Sequence, residues 1–165
     1  PAHGDAVMKI SLAKEAGQPA LRRRRQLLTV LKAAAELAGL GHERGIIEVC
    51  LLSKKRMTEL NESFLNHQGP TDVLAFDLRQ DERPKSDDDS ENVIAEIDVC
   101  PAVAVDYANA HGGCPSRELV LYIVHGMLHL AGEDDLTPSA RRAMRAAEKR
   151  VMDALSQRFD LERFI

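Results

Sequence analysis

Cysteine is scarce: Cys50, Cys100 and Cys114 are the only three in 165 residues, and no two form a C-x-x-C pair. An odd number at wide spacing indicates neither a disulfide framework nor a thiolate zinc site. The three read as small buried hydrophobes in a reducing cytosol. Long apolar runs are absent too. None approaches a membrane span and no signal-like stretch opens the chain, so the expected setting is cytoplasmic, without membrane contact. Excess positive charge is also lacking. The net charge is -4 with pI near 5.9, which is no general nucleic-acid footprint and gives no reason to expect DNA. Any RNA contact therefore has to come from local clusters such as Arg22 to Arg25, Lys54-Lys55-Arg56 or Arg141-Arg142, each of which also reads as the solvated side of a helix.

What is present suffices for a core. Hydrophobic residues make up 44% and charged residues 29%, with no internal repeat and no boundary, so a single domain over 1–165 is expected. Val7 to Ala13 alternates as a strand, and Leu21 to Leu40 has a helical period stopped by Gly39 and Gly41. Ile46 to Leu52 is rich in β-formers, and Ser53 caps a helix through Phe64. Asn66 to Pro70 is turn-like. Thr71 to Leu78 and Asn92 to Val99 read as strands, separated by a flexible acidic loop over 79–90 that includes Asp87-Asp88-Asp89. Pro101 and Pro115 suit first helical turns, opening helices to Ala110 and to Ala131. Thr137-Pro138 opens a last helix to Arg158. The order βαβαββααα predicts an α+β fold, a mixed sheet with helices packed on it.

One segment carries most of the chemistry. His125-Gly126-Met127-Leu128-His129-Leu130-Ala131-Gly132-Glu133-Asp134-Asp135 places two imidazoles at i and i+4, on one helix face. Six histidines in 165 residues predict roughly 0.2 such pairs by chance, so context has to decide. The run before it, Leu119 to Val124, is apolar all round, as in a buried helix. Two histidines continuing such a helix need partners, whether a cation or core hydrogen bonds. Gly132 is a helix stop that lets the chain turn back and bring Asp135 to the same ion. Two imidazoles and a carboxylate leave a tetrahedral zinc one open position, the arrangement of catalytic sites. In H-E-x-x-H metalloproteases the residue after the first His is the catalytic glutamate. Here it is Gly126, which excludes that route to peptide hydrolysis and permits close approach of another group to the helix.

These residues resemble the signature of the YbeY family of metal-dependent endoribonucleases, bacterial rRNA maturation factors, which reads H-G-x-L-H-L-x-G-Y-D-H. His125, Gly126, Leu128, His129, Leu130, Gly132 and Asp134 agree with it. Leu60-Asn61, Pro70-Thr71-Asp72-Val73-Leu74 and Phe76 are similar to the family's L-N-x-x-Y-R-x-x-x-x-P-T-D-V-L-S-F. Ala95 to Val99 resembles its G-D-I-x-I strand, and Arg117-Glu118-Leu119 its lead into the metal helix. With the Met144 and Glu148 spacing, the resemblance spans most of residues 45 to 155. It implies a zincin-like arrangement on a four-stranded mixed sheet, with one metal held by His125, His129 and Asp135. It also implies attack of a metal-activated water on single-stranded RNA, in rRNA maturation and ribosome quality control, with the ribosome or ribosomal proteins as partners.

Three departures from that pattern matter most. Asp135 stands where the family has its third histidine. A carboxylate is an acceptable zinc ligand, though its charge weakens the metal as a Lewis acid and shifts preference toward Mn²⁺ or Fe²⁺. Leu65 replaces an arginine and cannot bind phosphate. Ala95-Glu96 replaces Gly-Asp and keeps one carboxylate.

Asp134 is expected either to orient a ligand imidazole through its other nitrogen or to act as a loop acceptor. Thr71 and Asp72 either line the cleft or serve as turn chemistry. Lys54, Lys55 and Arg56 are the candidate RNA contacts. No general base is evident beyond the metal-bound water. Competing functions are a non-catalytic ribosome-associated factor with a structural metal, a metallohydrolase of another substrate, and an iron oxygenase suggested only by the ligand types.

Overall fold

Alternate residues of the strand Gly45–Leu51 are buried and half-buried, so its two faces have different neighbours. The computed structural model describes residues 8–65, 71–80, 82 and 86–165, Leu65 by its backbone alone. Its elements are β1 (Met8–Lys14), α1 (Arg24–Leu37), β2 (Gly45–Leu51), α2 (Lys54–Leu65), β3 (Val73–Asp77), a 3-10 turn (Asp89–Glu91), β4 (Val93–Val99), α3 (Pro101–His111), α4 (Pro115–Leu130) and α5 (Pro138–Arg158). The expected element order holds, with ends shifted by a few residues where helices fray. Leu21 to Arg23 lies outside α1, and Arg23 takes a left-handed conformation at its N-cap. The turn expected at Asn66 to Pro70, the side chain of Leu65 and the first seven residues lie outside the described residues.

The sheet order is β1-β2-β4-β3, with β1, β2 and β4 parallel and β3 antiparallel to β4. It is the mixed four-stranded sheet of an α+β fold. Ile47, Val49, Leu51, Ala95, Ile97 and Val99 form its main apolar face, covered by α1 and α4, with α5 packed behind. Helix α4 is buried except along one line through Arg117, Leu121, His125 and His129, because the sheet, α1, α3 and α5 enclose the rest of it, which accounts for its apolar run. The opposite face has a smaller apolar cluster of Met57, Leu74 and Cys100. Phe64 packs edge-on against Phe76 there, with ring centroids 5.6 Å apart.

Arg79, which opens the segment read as a flexible acidic loop, is pinned. Its guanidinium donates to Asp77 Oδ2 at 2.8 Å, to Glu43 Oε1 at 2.8 Å and to the Leu130 carbonyl at 2.6 Å. The end of β3 is thereby tied to the end of α4. Further along, the Asp88 carboxylate accepts from the Ser90 amide at 2.9 Å and starts the 3-10 turn.

Candidate metal centre

The site forms where α4 runs out. Pro115 occupies its first turn, and Gly132, at φ +104°, takes the left-handed conformation that ends it. The Gly132 and Glu133 amides donate back to the carbonyls of His129 and Leu128 at 3.1 and 3.0 Å. The chain then reverses, and the Asp135 Oδ2 atom comes to 3.8 Å from both His125 Nε2 and His129 Nε2. The two Nε2 atoms are themselves 2.9 Å apart. Arg141 holds the returning loop by donating to the Asp135 carbonyl at 3.3 Å.

The outer ring nitrogens show what this convergence is suited to. His125 Nδ1 lies 2.5 Å from Glu148 Oε1, and His129 Nδ1 lies 3.0 Å from the Glu133 carbonyl. Both partners are acceptors, so both Nδ1 atoms carry hydrogen. In neutral rings that leaves two Nε2 lone pairs facing each other and a carboxylate oxygen. Three electron-rich atoms at this separation call for a cation between them, so the residues fit a transition metal. The hydrogen bond that His125 donates to Glu148 pulls its pKa above the ordinary value against the opposing effect of burial, with smaller contributions from the charges of Glu148, Asp72 and Asp135.

Gly126 has a packing reason. A Cβ there would come within 3.0 Å of Ile97 Cγ2 and 3.3 Å of Val73 Cγ2. The group that approaches the helix closely is the sheet, and a glutamate at this position would have to displace it.

Of the remaining expected residues, Asp134 does not reach an imidazole. Its Oδ1 accepts from the Leu136 amide at 3.1 Å, the loop-acceptor alternative. Glu148 and the Glu133 carbonyl take the orienting role instead. The spacing of Glu148 drew notice in the sequence, but its contact with His125 depends on how α5 packs on α4.

Asp72 accepts from the Val73 amide at 2.8 Å and from the Thr71 hydroxyl at 3.3 Å. This is turn chemistry at the entry to β3, yet it leaves the Asp72 charge near enough to act on His125, Glu118 and Tyr122. Lys54 is hydrogen-bonded to Asp106, and Arg56 pairs with Glu59 at 3.3 Å. Lys55 is exposed. Arg145 and Lys149, which no sequence motif singled out, line with Arg117, Glu118, Glu148 and Asp153 a groove of about 250 Å³ that reaches the partner of His125, and Lys149 pairs there with Asp153 at 2.5 Å.

Together the fold and site define a class, an α+β domain on a mixed four-stranded sheet with two imidazoles and a carboxylate converging at the end of its buried helix. The chain matches the family described as Endoribonuclease YbeY over residues 11–156. It is similar to proteins named endoribonuclease YbeY from Elusimicrobium minutum, 35% identical over 67% of this chain and 75% of that one, and from Micrococcus luteus, 32% identical over 67% and 71%. The solution structure of TM1509 from Thermotoga maritima shares the fold, with a TM-score of 0.55 at 24% identity over 90% of this chain and 92% of that one. The chain belongs to the YbeY family.

Proposed function

We propose that this protein is a metal-dependent endoribonuclease of single-stranded RNA, acting in the cytoplasm in rRNA maturation and ribosome quality control. Support comes from membership of a family named for endoribonuclease activity and from one observation at the site. His125 Nε2, His129 Nε2 and Asp135 Oδ2 converge while both Nδ1 atoms are occupied by acceptors. These three residues would hold one Zn²⁺, or a Mn²⁺ or Fe²⁺ ion favoured by the carboxylate, which when bound acidifies a water and polarises a phosphoryl oxygen.

The chain's own groups do the rest. Glu148 accepts the Nδ1 hydrogen of His125 and the Glu133 carbonyl that of His129, keeping both Nε2 lone pairs aimed inward. Glu148 also lines the groove that carries Arg117, Arg145 and Lys149. A phosphodiester backbone lying along that groove would meet these cations beside the metal centre. The groove also carries Glu118, Glu148 and Asp153, so its cations would act as separate phosphate contacts and not as a basic field, in keeping with a net charge of -4. The Asp72 charge acts on His125 from its position ahead of β3. The ribosome and its proteins are the proposed partners on the strength of the family resemblance.

The test is metal content together with cleavage of single-stranded RNA by the purified full chain. His129→Ala and Asp135→Ala should lose the metal and more activity than the roughly 10–100-fold that removal of an outer partner such as Glu148 costs. Asp135→His should retain both. Chelator-sensitive peptide cleavage that disappears in His125→Ala would overturn the assignment. Full metal occupancy without RNA cleavage would favour a non-catalytic ribosome-associated factor.

A further inference from the structure

The parallel pairing of β2 with β4 sets Cys50 opposite Asp98 and Glu48 opposite Glu96. All four side chains stand on the sheet face away from α4, because Val49, Ile97 and Val99 occupy the other. Ligand atoms of Cys50, Glu96 and Asp98 lie within 4.8 Å of one another. We propose that these three residues form a second divalent-cation site, of thiolate and carboxylate type, independent of the histidine centre.

Two observations beyond proximity carry this. Asp98 is 1% exposed, and its Oδ1 atom is buried with no hydrogen-bond partner among the described residues. A carboxylate oxygen withdrawn from water and left unsatisfied costs stability unless a cation or donor faces it. The second observation is charge. Glu96 stands two residues from Asp98, and Glu48 accepts the Cys50 thiol hydrogen at 3.4 Å, so three carboxylates and a thiol share one patch. Arg56, the cation whose charge reaches Asp98, is already paired with Glu59. On the third side, Leu74 and Phe76 are the β3 partners of Asp98 and Glu96, lowering the local dielectric.

The ligand chemistry narrows the cation. One sulfur with two carboxylate oxygens suits Zn²⁺ or Co²⁺, whereas Mg²⁺ and Ca²⁺ take oxygen ligands alone. Strand pairing holds the three donors, so they need no folding around the ion.

Cobalt separates this site from the first, because the histidine centre contains no sulfur. Chelator-stripped full chain titrated with Co²⁺ should develop a thiolate-to-cobalt charge-transfer band in the near ultraviolet. Cys50→Ser and Asp98→Asn should lose that band, and metal content should fall from two equivalents to one. His125→Ala and Cys114→Ser should retain the band, so failure of the histidine centre would not be mistaken for failure here. Far-ultraviolet circular dichroism of Cys50→Ser and Asp98→Asn verifies that the fold persists. A wild-type titration without the band, or a band that survives Cys50→Ser, overturns the proposal. In the first case Glu96 and Asp98 share only a proton.

Discussion

On one side of the sheet, Ile47, Val49, Ile97 and Val99 meet a helix that is apolar from Leu119 to Val124, after which His125 and His129 appear. On the other side, Glu48, Cys50, Glu96 and Asp98 stand within the sheet itself, next to the small cluster of Met57, Leu74 and Cys100. Both sides gather ligand-type residues, but by different means. At the end of α4 the grouping is local: histidines one turn apart, a glycine stop and a returning aspartate. In the sheet it is non-local, because residues nearly fifty positions apart become neighbours only when β2 pairs with β4. The first arrangement lies where solvent and substrate can enter, with His125 and His129 partly exposed. In the second, one carboxylate is fully enclosed.

The largest effect is expected at the junction of α4 and the sheet. Gly126→Glu would drive a charged side chain into Ile97 and Val73 and should destabilise the fold by more than about 4 kcal/mol, combining overpacking with burial of an unpaired carboxylate. Denaturant unfolding measures the loss, and the variant should also fail to hold metal at the histidine centre. A stable Gly126→Glu protein would mean that helix and sheet are not in close contact there.

Met57→Ala strikes the other face. Met57 is fully buried in the smaller cluster, so truncation should cost about 2–3 kcal/mol. Metal occupancy at His125 and His129 should not change. A variant that lost that occupancy while still folded would show the two faces to be coupled, against the comparison drawn above.

The smallest effect concerns the clamp between β3 and α4. Arg79→Ala removes donors to Asp77, Glu43 and the Leu130 carbonyl and should cost about 1–2 kcal/mol. Hydrogen bonding to Arg79 lowers the Asp77 pKa in the folded state. The associated stability is therefore fully present above the ordinary aspartate value and is lost as pH falls through the lowered one. Thermal unfolding in the acid range should show that loss in the parent and a weaker loss in Arg79→Ala. Equal pH dependence in the two proteins would detach Asp77 from the clamp.

Periodicity within single segments made every principal helix and strand legible, because burial in this sheet follows strict alternation in β2 and the apolar run of α4 needs no partner to be recognised. The histidine pair and its glycine stop were legible for the same reason. Less could be read where contact depends on packing. Glu148 and Arg79 act across element boundaries, and the loop after Gly132 turned Asp134 away from the imidazoles and Asp135 toward them. Lys54 to Arg56 looked available until α3 supplied Asp106 to Lys54. The groove cations Arg117, Arg145 and Lys149 became a group only through the docking of α5 on α4.

The sequence by itself thus determined the element order, the buried helix and two imidazoles on one face of it, since each follows from backbone geometry over a few residues. It also carried the family pattern, as a string of short motifs. Only the tertiary structure decided which acceptors set the histidine tautomers, what fills the space beside Gly126, and which carboxylates share the enclosed patch with Cys50. Those outcomes depend on register and helix docking, which are set by how the apolar faces of distant segments fit together and not by the residues adjacent in the chain.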